Sequence, residues 1–266
     1  MAEKTHPVLF IHGLWLHPTS WAAWSDLFAR HGYHTTAPGW PDEPATVDAA
    51  RSNPDALAGK GIEEIVEHYR SIIEALDDPP IIVGHSFGGL FAEKLLGEGR
   101  AAAAVAIDAA QIKGVLRTPL SALRATLPVF KNPANRHRTV SLTAEQFRYS
   151  FGNAVTKEES DELFDRWAVP GPARPLFEAA TANFSPHAAS KVDTDNDERG
   201  PLLLVMGGED HTVPESVTKA TAQQYKHSAA VTDTMEFADR GHSLTIDSGW
   251  QEVAEASLTW LEKQGL

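Results

Sequence analysis

Ile81-Ile82-Val83-Gly84-His85-Ser86-Phe87-Gly88-Gly89-Leu90 is the stretch on which the fold turns. Three apolar β-formers, introduced by Pro79-Pro80, predict a short buried strand. After the glycine pair, Leu90-Phe91-Ala92-Glu93-Lys94-Leu95-Leu96 spaces its apolar positions like a helix. Gly84-x-Ser86-x-Gly88 lies between them and places a serine at the tip of a sharp strand-to-helix turn. A side chain two positions to either side would strike the chain folding back, so glycine stands at both flanks. The turn pushes the serine hydroxyl clear of the sheet edge. It also aims the first N–H groups of the helix at whatever the hydroxyl meets.

The same alternation runs outward from this turn. Val8-Leu9-Phe10-Ile11 is a continuous apolar run, as expected for a parallel strand covered on both faces. Thr19 or Ser20 is placed to cap a helix through Trp21, Trp24, Leu27 and Phe28. Residues 33–37 predict a strand, and residues 42–60, with Pro44, Pro54 and Gly59, a surface loop. Ile62, Ile65, Val66, Tyr69, Ile72, Ile73 and Leu76 mark an amphipathic helix, and residues 102–107 another strand ending at Asp108. Alternation then stops. Residues 119–127, 143–151, 157–167 and 175–184 predict helices separated by Pro128, Pro133, Pro170 and Pro172. It resumes with a strand at 202–206, a helix near 215–225, a strand near 231–237 and a last helix near 250–263.

Four motifs now carry a resemblance: Phe10-Ile11-His12-Gly13, Gly84-His85-Ser86-Phe87-Gly88-Gly89, residues 207–214 (Gly-Gly-Glu-Asp-His-Thr-Val-Pro) and Gly241-His242-Ser243. In this order they resemble the α/β-hydrolase superfamily. The resemblance implies a three-layer α/β/α sandwich around a mainly parallel sheet of about six strands. It also implies a core domain of residues 1–111 and 199–266, with residues 112–198 inserted as a helical cap. Too little chain precedes Val8 for the antiparallel hairpin that many members carry there.

A serine hydroxyl needs a base within hydrogen-bond reach to become a nucleophile. His242 is the candidate, on a glycine-containing loop after the last strand, where the family puts its histidine. His85 abuts Ser86 but should point away from it and serve packing. Asp210 follows the strand at 202–206 in a pattern that resembles the family's acid loop, and Asp108, also at a strand end, is its rival. Chain order Ser86, Asp210, His242 agrees with the superfamily. The resemblance further assigns the backbone N–H groups of Leu14 and Phe87 to an oxyanion hole. Trp15, Trp40, Phe87, Phe130, Phe151 and Trp167 are candidate walls of an apolar pocket.

Bulk properties narrow the function. With 23 Lys+Arg against 36 Asp+Glu, the net charge of −13 disfavours nucleic acid as a partner. There are no cysteines, so disulfides and thiolate metal sites are excluded. No His-Glu-x-x-His and no Gly-x-x-x-x-Gly-Lys occurs, so neither a metal nor any other cofactor is expected. No apolar leader or uninterrupted spanning segment is visible, and the expectation is a soluble, cytoplasmic protein without membrane insertion, acting on a small molecule. One local reversal stands out: residues 109–144 hold no acid but carry Lys113, Arg117, Arg124, Lys131, Arg136 and Arg138. It reads as a solvated face of the cap, with attraction for anionic substrates or a negative surface as the alternative.

The expected activity is therefore that of a cofactor-free serine hydrolase for a carboxylic ester or lactone of a small, rather apolar molecule. Perhydrolase, lyase and cofactor-free dioxygenase chemistry share this fold, as does a receptor with negligible turnover. A lyase calls for a cation over the pocket, which Lys113 or Lys131 would have to supply.

Overall fold

The computed structural model describes residues 5–266. The chain runs β1 (Val8–Ile11), α1 (Ala22–Arg30), β2 (Thr35–Thr36), α2 (Val47–Ser52) and α3 (Ile62–Glu74). Then come β3 (Ile81–His85), α4 (Phe87–Gly97) and β4 (Ala103–Ile107). The inserted stretch holds α5 (Leu120–Phe130), β5 (Thr139–Val140), α6 (Ala144–Ser150), α7 (Lys157–Trp167), β6 (Gly171–Pro172) and α8 (Arg174–Thr181). The chain closes with β7 (Leu202–Gly207), α9 (Glu215–Gln224), β8 (Thr232–Phe237) and α10 (Trp250–Lys263).

Six strands form one sheet in the order β2-β1-β3-β4-β7-β8, and every pairing in it is parallel. The apolar runs of β1, β3, β4 and β7 are buried at every position, as a sheet covered on both faces requires. Successive residues alternate between two cores. Leu9, Ile11, Ile82, Ala104, Ala106, Leu202 and Leu204 pack with α3, α4 and α9. Val8, Phe10, Ile81, Val83, Val105, Leu203 and Val205 face the aromatic and aliphatic side chains of α1 and α10. This two-sided burial is the expected three-layer sandwich. Strands are added to one side of β1 as far as β2 and to the other from β3 onward, and this switch places a crevice at the carboxyl ends of β1 and β3, where such sheets hold their functional groups.

Local departures have local causes. Residues 42–60 are not all loop, because α2 forms between Pro44 and Pro54. The Thr46 side chain caps it, and Arg51 reaches the carbonyls of Phe164, Asp165 and Ala168. The strand expected at 33–37 shrinks to Thr35–Thr36 at the sheet edge, with Tyr33 drawn into the α1 core. His17, not Thr19 or Ser20, accepts from the backbone ahead of α1, across a short 3-10 turn. Pro128 does not end its helix but lies inside α5 near the C-terminal end, where it removes one i to i−4 bond from the last turn. The inserted stretch is not purely helical either: β5 and β6 pair antiparallel, and Leu16 bridges to Ala168. Among the described residues no helix is long and apolar enough to cross a membrane.

Candidate active site

Ser86 holds φ 55° and ψ −118°, a conformation that costs a non-glycine residue on the order of 1–3 kcal/mol and persists only when its surroundings enforce it. They do so here. Its N–H donates to Ile107 O at 2.9 Å, and its carbonyl accepts from Ala110 N at 2.9 Å, pinning the turn to the end of β4. A Cβ on Gly84 would stand 2.1 Å from Gly88 O, and one on Gly88 would stand 2.1 Å from Ile11 O. No side chain fits at either flank.

The loop after β1 lies against the same serine: a Cβ on Gly13 would come within 2.7 Å of Ser86 Cβ. The Leu14 and Phe87 amides belong to this junction, and neither N–H donates to a described residue. Behind the loop, buried His12 contacts Glu43 Oε2 through Nε2 and Gly13 O through Nδ1, both at 2.9 Å. These two contacts fix the ring's orientation between the loop after β1 and the Glu43 carboxylate. Burial opposes ionisation of Glu43, but the charge and hydrogen bond of His12 outweigh it and hold this carboxyl below its ordinary range.

His242 arrives from the loop after β8 and is fully buried. Its Nδ1 donates to Asp210 Oδ2 at 2.6 Å. Asp210 Oδ1 accepts from the Thr212 and Val213 amides at 2.6 and 2.9 Å, which locks the carboxylate's orientation. With Nδ1 committed as donor, Nε2 of a neutral imidazole carries the lone pair. Nε2 is buried without a hydrogen-bond partner. His242 and Ser86 face one cavity without a direct hydrogen bond, a common state when no substrate is bound.

Asp108 is the neighbour of this pair and not its centre. Its Oδ2 stands 3.9 Å from His242 Nδ1, and its Oδ1 accepts from Gly207 N–H at 2.8 Å. Burial, and then the Asp210 charge beside it, push the Asp108 carboxyl well above the usual carboxylate range. His85 is kept neutral, first by burial and then by His242. Its Nε2–H donates to the His242 carbonyl at 2.9 Å. His85 thus does more than pack: it holds the backbone of the neighbouring histidine. His85, Asp108 and His242 bring ligand-type atoms within 4.8 Å of one another, but their hydrogen bonds already account for the cluster.

The alpha/beta hydrolase family model matches residues 8–256. The chain belongs to that family. Among solved structures it is similar to a monoacylglycerol lipase from Paleococcus ferrophilus, at 20% identity and TM-score 0.67, covering 99% of this chain and 98% of that one. It is similar to an extracellular alpha/beta-hydrolase from a Paenibacillus species, at 20% identity and TM-score 0.68, over 96% and 98%. A methylesterase from Arabidopsis aligns at 14% identity and TM-score 0.66, over 97% and 99%. At these identities the likeness establishes the fold. Among curated proteins none matches the sequence.

In this family member the inserted stretch and the sheet enclose a cavity of about 300 Å³. Its walls are mostly apolar: Leu14, Trp15, Phe87, Phe130, Phe151, Leu176, Val213 and Val217, with Ser86 and His242 on its surface. Phe151 stands edge-on to the His242 ring at 4.8 Å and stacks on Phe147. Trp15 joins sheet to insertion, donating Nε1–H to Val140 O and accepting from Val169 N–H, both at 2.9 Å. Two expected wall residues lie elsewhere. Trp40 is buried between the His12 ring, on which it stacks at 5.1 Å, and Phe91, which meets it edge-on. Trp167 packs at the edge of the main core, under the Arg166 guanidinium.

Proposed function

We propose that this chain is a cofactor-free serine hydrolase that cleaves a carboxylic ester or lactone of a small, rather apolar molecule. The observation that carries the reading is a strained serine directly after β3 and a histidine on one apolar cavity. That histidine has Nδ1 fixed by a buried carboxylate and Nε2 left with a lone pair. In this reading Ser86 Oγ attacks the carbonyl carbon while Nε2 of His242 takes its proton. The Leu14 and Phe87 amides stabilise the oxyanion. The alkoxide leaves with the proton from Nε2, giving an acyl-serine. Water then attacks the acyl carbon, delivers a proton to Nε2, and the acid departs as Ser86 is reprotonated. Asp210 stabilises the imidazolium formed in each half.

Residues 112–198 act as a cap in this proposal, supplying Phe130, Phe151 and Leu176 to the pocket that selects the acyl or alcohol group. A lyase reading loses support, because neither Lys113 nor Lys131 lines the cavity and Lys113 Nζ instead donates to Pro186 O. A fluorophosphonate probe tests the proposal: one adduct on Ser86 by peptide mass is expected, with sustained release from p-nitrophenyl esters. Ser86→Ala should lose both. An adduct elsewhere, activity surviving in Ser86→Ala, or tight ligand binding without turnover sinks it.

A further inference from the structure

Four leucines around α5 point outward. Leu116 is 79% exposed, Leu120 84%, Leu123 47% and Leu127 58%. Spacing places Leu120, Leu123 and Leu127 along one stripe of the helix, with Leu116 just ahead of it, while Ala125, Pro128 and Val129 are buried on the opposite side. A solvated helical face has no use for such a stripe, and exposed apolar patches of this kind mark contact surfaces. Phe184, 90% exposed, follows α8 in the same insertion.

Arg117, Arg124 and Lys131 accompany the leucines, and among the described residues none lies within ion-pair distance of a carboxylate. Arg124 sits over the Tyr149 ring at 4.1 Å. Glu145, the acid sharing a groove with Arg124 and Lys131, pairs with neither. Cations are thus left uncompensated beside exposed leucines in a chain of net charge −13.

We propose that the outer face of α5, with Leu116 and Arg117 ahead of it, docks on an anionic lipid layer. An apolar stripe flanked by cations matches the two chemistries of such a layer, hydrocarbon below and negative headgroups above. A second copy is the poorer occupant, because an isologous contact would set the same cations against one another. The net negative charge is no obstacle, since at physiological salt only charges within about 8 Å of the surface are felt strongly. Leu123 belongs to the exposed stripe and also lines the cavity, beside Ala122, Thr126 and Phe130. A molecule dissolved in the layer therefore meets the cavity at the docking face. That route rests on the hydrolase reading; the docking does not.

Flotation with vesicles of phosphatidylcholine, with and without phosphatidylglycerol, tests the docking in the absence of substrate, on the native chain and on Ser86→Ala. Both should bind the anionic vesicles, bind neutral ones far less, and be released by high salt. Arg117→Glu and Lys131→Glu should each weaken binding by about fivefold or more, and Leu120→Ser with Leu127→Ser should remove it. All four side chains lie outside the cavity, so the variants should keep the native melting temperature and turnover of a water-soluble ester. Three results overturn the proposal: no binding by the native chain, equal binding to neutral vesicles, or variants that bind like it. A native dimer that the leucine variants dissociate, seen by light scattering without vesicle binding, assigns the face to a second copy instead. Loss of esterase activity with intact binding would count against the hydrolase reading alone.

Discussion

Nδ1 of His242 lies 2.6 Å from Oδ2 of Asp210, both side chains fully buried. The distance separates the two candidate acids, since Asp108 stands 3.9 Å from the same nitrogen, and burial and the Asp210 charge disfavour its ionised form. Asp210→Asn should therefore lower turnover by roughly 10⁴ while the chain stays folded, because the base adopts the wrong tautomer. Asp108→Asn preserves an acceptor for the Gly207 amide and should lose far less. The ranking is read from kcat on one ester, with circular dichroism to establish folding; the reverse order would transfer the role to Asp108.

His85→Phe should uncouple the loop that carries His242. The variant leaves the His242 carbonyl buried and unsatisfied, a loss of about 1–3 kcal/mol. Urea unfolding reads that loss. Slower labelling of Ser86 at unchanged KM reads the displaced base, which a purely packing role for His85 does not predict.

Glu93 gives the stability a pH signature. Burial raises its carboxyl to about 8, against the partial opposition of the Tyr225 hydroxyl, which donates to it at 2.7 Å. The folded chain thus keeps a proton that the unfolded chain releases above about 4.5. Stability from this group is fully present below that pH and is lost as pH rises toward 8. Glu93→Gln keeps an acceptor for Tyr225 and cannot ionise. Its urea midpoint should gain on the native chain progressively between pH 5 and 8; a constant difference across that range would contradict the assignment.

Phe130→Ala and Trp167→Ala should behave differently despite sharing the insertion. Phe130 lines the cavity and packs edge-on to Phe177 at 5.0 Å, so its removal enlarges the pocket and should shift preference toward bulkier acyl chains. Trp167 does not line the cavity and should change stability without reordering the substrates. A panel of p-nitrophenyl esters of increasing length decides between them, and identical profiles for the two variants would remove the cap from specificity.

The sheet was legible because a strand buried on both faces must be apolar throughout, as in β1, β3, β4 and β7. The turn at Ser86 was legible for a steric reason that leaves its mark in glycine at positions 84 and 88. What escaped depends on partners distant in the chain. Nothing near Trp40 announces that its ring faces His12, and nothing near Glu43 announces that its carboxylate holds that histidine. α2 escaped because Arg51 docks on carbonyls more than a hundred residues away. The bond from His85 to the His242 carbonyl joins the end of β3 to a loop that meets it only once the sheet has formed.

Trp15 is bonded to the insertion at both ends, by its indole to Val140 and by its carbonyl to Val169, and it directly follows the Leu14 amide. Under the proposed mechanism, this ties an oxyanion donor to the roof of the cavity. The roof and the donor therefore share one short piece of backbone, and the position of one constrains the other.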